Sequence, residues 1–201
     1  EEQRHWQQEA RKFADDVLRP ESLKRDQIEG AFEPWDWDII EKGSKLGFRT
    51  IAVPKEWGGP GADFVTQAIV MAELAKGDSA MSKAFSQNWK WSHLIAGSCT
   101  REQKERFLKP FLADHRYVMG RGITEPNAGS DVVGMRSYAR RDGDDWILNG
   151  EKMWISLADV ADHFLFFCWT DQEKQKVRDH TGISCFIIER TMPGFSSGTI
   201  H

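Results

Sequence analysis

A polar stretch at residues 124–131, Thr-Glu-Pro-Asn-Ala-Gly-Ser-Asp, carries side chains whose types and spacing could bind a ligand. Pro126 prevents a simple continuation of the apolar run before it, because proline lacks a backbone N–H and restricts the preceding residue. The residues that follow have short side chains, and they can direct backbone N–H groups and a hydroxyl towards an anion. We therefore predict an anion-binding loop, and we expect Glu125 and Asp131 to fix it by hydrogen bonds rather than to transfer protons.

A second stretch at residues 149–156 reads Asn-Gly-Glu-Lys-Met-Trp-Ile-Ser. Asn149-Gly150 is a strong signal for a hairpin turn, so we expect a strand after it that carries Trp154, Ile155 and Ser156. An aromatic plane beside a hydroxyl donor suits a flat heteroaromatic ring with polar edges. The second stretch therefore predicts one wall of a site for such a ring.

These residues resemble the two sequence motifs of the acyl-CoA dehydrogenase family of flavoproteins. Residues 124–131 match the first motif almost residue for residue, and residues 149–156 match the second. Asp142-Gly143-Asp144 lies between them at the distance that the family shows. The two motifs together are specific, and the resemblance extends more weakly over the whole chain.

The resemblance implies that the protein binds FAD through the β-rich part of the chain. It assigns cofactor contacts to Arg121, Ile123, Thr124, Gly129, Ser130, Trp154, Ile155 and Ser156. The motif after residue 122 would contact the flavin ring and the pyrophosphate, Trp154 would pack by the ring, and Ser156 would donate towards the flavin N5. Arg121 stands where the family usually has an aromatic or aliphatic residue.

The resemblance also implies a reaction, the α,β-dehydrogenation of an acyl-CoA thioester. In the family, a Glu base removes a proton at Cα and the hydrogen at Cβ leaves as hydride to flavin N5. That base lies in a C-terminal helical domain, so no residue of this chain is nominated as catalytic. Candidates for contact with the acyl-CoA are Ser130 and, on one predicted helix, Ala84, Phe85 and Asn88. Core packing explains the bulky residues of that helix about as well.

Two classes of function stay open. One is an acyl-CoA dehydrogenase, with acyl-CoA oxidases and flavin monooxygenases of the same fold as relatives. The other is a non-catalytic flavin- or acyl-CoA-binding subunit or fragment. For the dehydrogenase, the resemblance implies an electron-transfer flavoprotein as electron acceptor and a homo-oligomer, either tetramer or dimer. We expect the chain as it stands not to turn over acyl-CoA, and a helical region with a suitable Glu beyond His201 in the gene would favour the enzyme.

Hydrophobic periodicity predicts that the first part of the chain is helical. Apolar residues recur at helical spacing and indicate about five helices, the first of which should end at Pro20. We expect a loop over residues 25–33 and a helix start near Pro34. Thr100 and Gln103 have the spacing of a capping box at a later helix start. Residues 1–116 are therefore predicted to form an N-terminal all-helical domain.

From residue 117 onwards, Asp-Gly and Asn-Gly turns separate short β-forming segments, notably residues 164–169 and 183–188. The order of helices followed by strands predicts an α+β fold with segregated domains. We expect residues 117–201 to form an antiparallel β-sandwich or barrel-like domain that is incomplete. The resemblance implies that the C-terminal helical bundle of the family is absent from this chain.

Composition argues against several other classes of function. A net charge of -4 gives no reason to expect a nucleic-acid partner, and no apolar run approaches the roughly 20 residues of a membrane helix. Three cysteines without a CxxC pair favour reduced thiols in a reducing compartment. The resemblance implies the cytoplasm, or the mitochondrial matrix in a eukaryote.

Two His–Cys pairs could suggest a metal site. His163 precedes Cys168 and His180 precedes Cys185 by the same odd spacing. Both pairs fall in predicted strands, where an odd spacing points two side chains to opposite faces. Because a structural zinc site needs convergent ligands, we expect no metal site.

Overall fold

In a computed structural model, which describes residues 1–27 and 36–198, the chain divides into two compact units. A helical unit spans Glu1–Val118 and a β unit spans Met119–His201. The boundary expected from the sequence, between residues 116 and 117, falls in the same segment between the last helix and the first strand. The predicted helix start at Pro34 and most of the predicted loop before it lie outside the described residues.

The described part of the helical unit contains six α-helices. They are α1 (Glu2–Phe13), α2 (Arg19–Asp26), α3 (Trp37–Lys45), α4 (Phe64–Gly77), α5 (Ser79–Ser98) and α6 (Arg101–Ala113). Side-chain oxygens of Asp36, Asp63, Asp78 and Thr100 accept backbone N–H groups at the starts of α3 to α6. Thr100 and Gln103 form the reciprocal capping box that the sequence predicts, which is therefore confirmed.

The expected end of the first helix at Pro20 is wrong. A π-helical turn, Ala14–Leu18, joins α1 directly to α2, and Pro20 lies in the first turn of α2. The N–H of Arg19 donates to the carbonyl of Ala14, five residues back. Because the π-helical turn changes the hydrogen-bond register just before Pro20, the missing proline N–H falls where a helix start tolerates it.

Aromatic rings fill the centre of the helical unit. The rings of Phe13, Phe48 and Phe85 contact one another edge to face, with centroids 5.4, 6.1 and 6.3 Å apart. At Gly43 of α3, an added Cβ would lie 2.3 Å from the Phe85 ring. Only glycine therefore allows α3 to approach α5 so closely, and α1, α3 and α5 pack around one buried aromatic cluster.

The β unit contains β1 (Met119–Gly122), β2 (Tyr138–Asp142), β3 (Asp145–Asn149), β4 (His163–Trp169) and β5 (Ile183–Glu189), with a short helix α7 (Gln172–Lys176) before β5. These strands form one five-stranded sheet in which β4 pairs with β1, β2 and β5. Both predicted β-forming segments are strands, β4 and β5.

The sheet is mixed, and it includes parallel pairs within the mostly antiparallel pairing that the sequence predicts. The two longest ladders, β2–β3 and β4–β5, are antiparallel, but β1 pairs with β4 in parallel through Met119↔His163 to Gly122↔Phe166. Parallel neighbours need a long crossover connection. Residues 123–162, which include β2 and β3, are long enough to return the chain to the same end of the sheet.

The predicted hairpin at Asn149-Gly150 is also wrong. The β2–β3 hairpin turns at Gly143, whose φ is +63°, and β3 ends at Asn149 without a partner strand after it. Gly150 instead lies against Ser137, where an added Cβ would be 2.1 Å from the hydroxyl oxygen. Residues 151–162 follow as turns and irregular chain, so Trp154 does not lie on a strand.

Candidate functional site

The first motif forms a tight loop immediately after β1. The N–H of Glu125 donates to the carbonyl of Ala128 over 2.9 Å, and the reverse bond is 3.1 Å, which closes the turn around Pro126. The next two residues, Gly129 and Ser130, are exposed. An added Cβ at Gly129 would meet no atom within 4 Å, so this loop has open space beside it.

The second motif lies against β1 and against the first residue of the loop. The N–H of Met153 donates to the carbonyl of Thr124 over 2.9 Å. The side chain of Ile155 packs on β1 at the two glycines of that strand. A Cβ added at Gly120 would lie 3.0 Å from Ile155, and a Cβ added at Gly122 would lie 3.4 Å from it. These two glycines therefore make room for the segment that carries the second motif.

A buried ion pair joins the two motifs. Lys152 Nζ lies 2.6 Å from Glu125 Oε1, and the two side chains are only 2% and 3% exposed. The same ammonium donates to the carbonyl of Ile123 over 3.2 Å and contacts Met135 Sδ at 3.9 Å. Three acceptors around one nitrogen match the three protons of a charged lysine.

The Glu125 carboxylate is surrounded by donors. Besides Lys152, it accepts the backbone N–H of Arg136 over 2.6 Å and that of Ser137 over 3.1 Å. Burial by itself raises the pKa of this carboxyl, but the hydrogen bonds from these three residues together lower it by a larger amount. The pKa of Glu125 therefore lies below its usual value. For Lys152, burial lowers the pKa of the ammonium more than Glu125 raises it. The expected loop-fixing role of Glu125 is confirmed by these contacts.

Trp154 has an unusual backbone conformation. Its φ is +57°, in the left-handed region that non-glycine residues with bulky side chains rarely adopt, and it is 67% exposed. Trp154, Ile155 and Ser156 line a cavity of about 1260 Å³ in the β unit, whose other walls include Ile147, Phe166 and Ile188. A strained residue that presents a flat ring at a cavity points to a binding role.

The structure therefore brings most of the predicted cofactor residues to one end of β1. Ile123 and Thr124 follow the strand directly, and the segment with Trp154 and Ile155 crosses them. Arg121 lies on β1 with an exposed side chain. Asp131, in the first motif, pairs at the surface with Arg178.

The predicted acyl-contact residues of α5 are all buried. Ala84, Phe85 and Asn88 are 2%, 0% and 1% exposed. The Asn88 amide donates to the carbonyl of Ala84 over 2.9 Å, and its oxygen accepts the indole N–H of Trp91 at 3.2 Å. Together with the ring contacts of Phe85, this favours core packing for these positions, and their contact with a substrate stays a prediction.

Sequence reasoning missed Lys152. Lys152 and its neighbour Glu151 precede the apolar Met-Trp-Ile run of the second motif. A lysine needs a partner when it is buried, but local sequence does not show that this side chain is buried. The identity of the partner depends on the crossing of two loops, which local spacing does not show.

Two further features of the described residues concern metals and membranes. Within residues 1–27 and 36–198, no three His, Cys, Asp or Glu side chains converge on a common point that could hold an ion. In the same ranges, no helix is at once long enough and apolar enough to span a lipid bilayer. Cys99, Cys168 and Cys185 form no disulfide bond with one another.

The protein consists of a helical unit followed by a β unit with a mixed sheet. The two motifs of the β unit are joined at the end of β1. Models of two consecutive domains match the chain: "Acyl-CoA dehydrogenase, N-terminal domain" over residues 1–115 and "Acyl-CoA dehydrogenase, middle domain" over residues 120–201. The chain belongs to the acyl-CoA dehydrogenase family.

Individual relatives agree with this assignment. The chain is 34% identical to a short-chain-specific acyl-CoA dehydrogenase of Clostridium acetobutylicum, over 100% of this chain and 51% of the relative. It is also similar to a glutaryl-CoA dehydrogenase of Mycobacterium smegmatis solved in complex with FADH2, with a TM-score of 0.83 and 32% identity over 100% of this chain and 48% of that one.

A third similar chain comes from a structure described as the electron transferring flavoprotein of Acidaminococcus fermentans. It has a TM-score of 0.86 and 35% identity, over 100% of this chain and 51% of that one. The chain thus spans about half the length of the relatives that it matches.

Proposed function

We propose that the β unit binds FAD at the end of β1. The observation that carries this proposal is the joining of the two motifs by Met153–Thr124 and Lys152–Glu125 contacts, in a family with members solved with this cofactor. The contacts bring an exposed aromatic ring and several hydroxyls to one part of the unit.

The residues present fit a flavin. Trp154 offers a flat, exposed ring for stacking, and Ser156 a hydroxyl on the wall of the same cavity. Thr124 offers a further hydroxyl beside the crossing point of the motifs. Gly129 and Ser130 lie on an exposed loop with open space, as a phosphate-binding loop requires. We propose these residues, with Arg121, Ile123 and Ile155, as the cofactor contacts.

The proposed reaction is the α,β-dehydrogenation of an acyl-CoA thioester. Bound FAD would supply the acceptor for the hydride that leaves Cβ. The residues of this chain bind and orient the reactants, and none of them is proposed as the base for the Cα proton. Glu125 is unsuited to that role, because its carboxylate is buried and already accepts hydrogen bonds from three residues.

Contacts with the acyl-CoA form the second part of the proposal. Ser130 is exposed on the loop of the first motif and has a hydroxyl free to face a ligand. Ala84, Phe85 and Asn88 are proposed to shape the acyl-binding side from α5. Because all three side chains are buried, they would act by setting the position of the α5 backbone and the space beside it, rather than by presenting exposed groups.

We further propose an electron-transfer flavoprotein as the electron acceptor and a homo-oligomer, tetramer or dimer, for the full-length protein. The similarity to a chain from the Acidaminococcus fermentans structure supports the first point. Family membership supports the second. We propose the cytoplasm, or the mitochondrial matrix in a eukaryote, as the location.

The test is anaerobic titration of the full-length protein, loaded with FAD, with a panel of acyl-CoAs. The dehydrogenase predicts loss of the oxidised flavin absorbance with at least one of them. Bound FAD that no acyl-CoA bleaches would instead assign the protein to the class of non-catalytic flavin-binding subunits. Failure of the protein to bind FAD at all would overturn the whole proposal.

A further inference from the structure

The Glu125–Lys152 ion pair is buried to a degree that stability alone does not explain. Both side chains are at most 3% exposed, and the charged atoms are 2.6 Å apart. Moving two charges out of water has a desolvation penalty that can exceed their mutual attraction, and apolar residues of similar volume often stabilise a fold equally well. The pair is therefore a candidate for a role other than stability.

The pair ties three separate segments of the β unit. Lys152 contacts the carbonyl of Ile123 at the end of β1. Glu125 accepts the N–H groups of Arg136 and Ser137 just before β2. The polar contacts of this one pair thus fix the loop of the first motif, the segment that leads into β2 and the beginning of the second motif, all of which lie outside the strands.

Trp154 depends on this arrangement. Its left-handed backbone persists only where neighbouring contacts hold it. On its N-terminal side the contacts are the Lys152 ammonium and the Met153 N–H, which both bind the Ile123–Thr124 backbone. On its C-terminal side Ile155 packs against Gly120. Lys152 is the side-chain anchor that immediately precedes the proposed flavin-stacking residue.

We propose that Glu125 and Lys152 form a positioning pair for the flavin, which holds the Trp154 ring and the Ser156 hydroxyl in the orientation that binds it. This inference rests on the proposed FAD site. The pair carries no net charge, and its side chains are at most 3% exposed, although Lys152 lies along the wall of the same cavity as Trp154. Its effect is transmitted through the backbone of residues 152–156.

The experiment uses the full-length protein with Glu125→Gln and Lys152→Met combined, so that no uncompensated charge is left buried. The readouts are the unfolding temperature of the apoprotein, the FAD dissociation constant and the absorbance and circular dichroism of the bound flavin. We expect cooperative unfolding of the apoprotein, an FAD dissociation constant raised about tenfold or more, as for loss of a hydrogen bond to a charged group, and an altered flavin spectrum.

Two additional variants keep the test decisive. Glu125→Asp retains the charge but has a shorter side chain, so it should raise the FAD dissociation constant and alter the flavin spectrum. This variant decides the question if the double variant does not fold. Glu73→Gln removes a buried carboxylate of the helical unit, and should lower the unfolding temperature while the FAD dissociation constant stays unchanged.

The outcomes separate this inference from the proposed function. FAD bound by the folded double variant with wild-type affinity and spectrum would overturn the positioning role and leave the FAD site intact. A wild-type protein that does not bind FAD would overturn the site and this inference with it. Weakened binding with a changed spectrum, while Glu73→Gln binds normally, supports the positioning pair.

Discussion

Each unit of the protein contains a buried carboxylate in a network of donors, Glu73 in one and Glu125 in the other, and the two networks differ in what they connect. In the helical unit, Glu73 of α4 accepts Gln7 and Arg11 of α1 and Lys76 of its own helix, at distances of 2.8 to 3.2 Å. Its two cationic partners are 57% and 56% exposed. This network fastens one helix to another at the edge of a packed core.

The network of the β unit connects loops instead of helices. Glu125 accepts backbone N–H groups, and its cationic partner Lys152 is itself buried. The helices around Glu73 have their own hydrogen bonds and an aromatic core to hold them. The segments around Glu125 lie outside the strands, and the carboxylate and its donors help to define their backbone. We infer from this difference that the Glu125–Lys152 pair specifies the conformation of the loops that it joins.

The largest expected effect lies in the aromatic core. Phe85→Ala should lower the free energy of unfolding by about 4 kcal/mol, as for large-to-small substitutions in a packed core. Chemical denaturation measures this, and Phe64→Ala, at a residue 74% exposed, is the control with an expected loss below about 1 kcal/mol. A shift of more than about tenfold in kcat/KM between short and long acyl-CoAs would support the proposed role of Phe85 in shaping the acyl-binding side, whereas unchanged stability would contradict its place in the aromatic core.

Removal of one charge from the β unit should come next. Lys152→Met alone should destabilise the protein by about 3 kcal/mol, because it leaves Glu125 buried without its cation. The double variant Glu125→Gln/Lys152→Met should lose less than this single variant in the same denaturation experiment. A loss in the double variant equal to the sum of the losses of Lys152→Met and Glu125→Gln alone would show that the two residues do not act as a pair.

The Glu73 network should be visible in the acid stability of the helical unit. Hydrogen bonds from Arg11, and with them those from Lys76 and Gln7, hold the pKa of Glu73 at about 2, well below its usual 4.5. A lowered folded-state pKa contributes stability above the unfolded-state value, which is lost as pH falls through the folded-state value.

Wild-type protein should therefore lose its stability advantage over Glu73→Gln between about pH 4.5 and about pH 2. Thermal unfolding of both proteins across this range measures the difference. A difference that does not depend on pH would show that the ionised carboxylate is not what binds α1 to α4.

The smallest effect is expected at Asp131, in the same motif as Glu125. Its contact with Arg178 is at the surface, with side chains 58% and 55% exposed, and exposed pairs contribute at most about 1 kcal/mol. Asp131→Asn should therefore change the free energy of unfolding by less than about 1 kcal/mol. A loss as large as that of Lys152→Met would remove the distinction between the buried and the exposed charge.

Sequence signals that act over a few residues predicted the fold well. The capping box at Thr100 is confirmed, since its hydrogen bonds join residues three positions apart. The strands β4 and β5 follow from their β-forming residues. The family motifs indicated the candidate site for a similar reason, because each motif is one continuous segment.

Long-range contacts explain the features that the sequence did not predict. Asn149-Gly150 has the composition of a hairpin, but its glycine accommodates Ser137 from a distant loop. The parallel pairing of β1 with β4 depends on the path of the whole intervening chain. The Glu125–Lys152 pair likewise joins residues of separate motifs, and its formation requires the loops to cross.

The central claim is that the second motif presents the FAD-binding surface of the β unit. It is tested most directly by the FAD content and the FAD dissociation constant of the full-length protein carrying Trp154→Ala with Ser156→Ala. We predict that this variant loses most of its bound FAD on purification and has an altered spectrum for the remainder, whereas Phe64→Ala retains wild-type content. Undiminished FAD with an unchanged flavin spectrum in the double variant would contradict the claim.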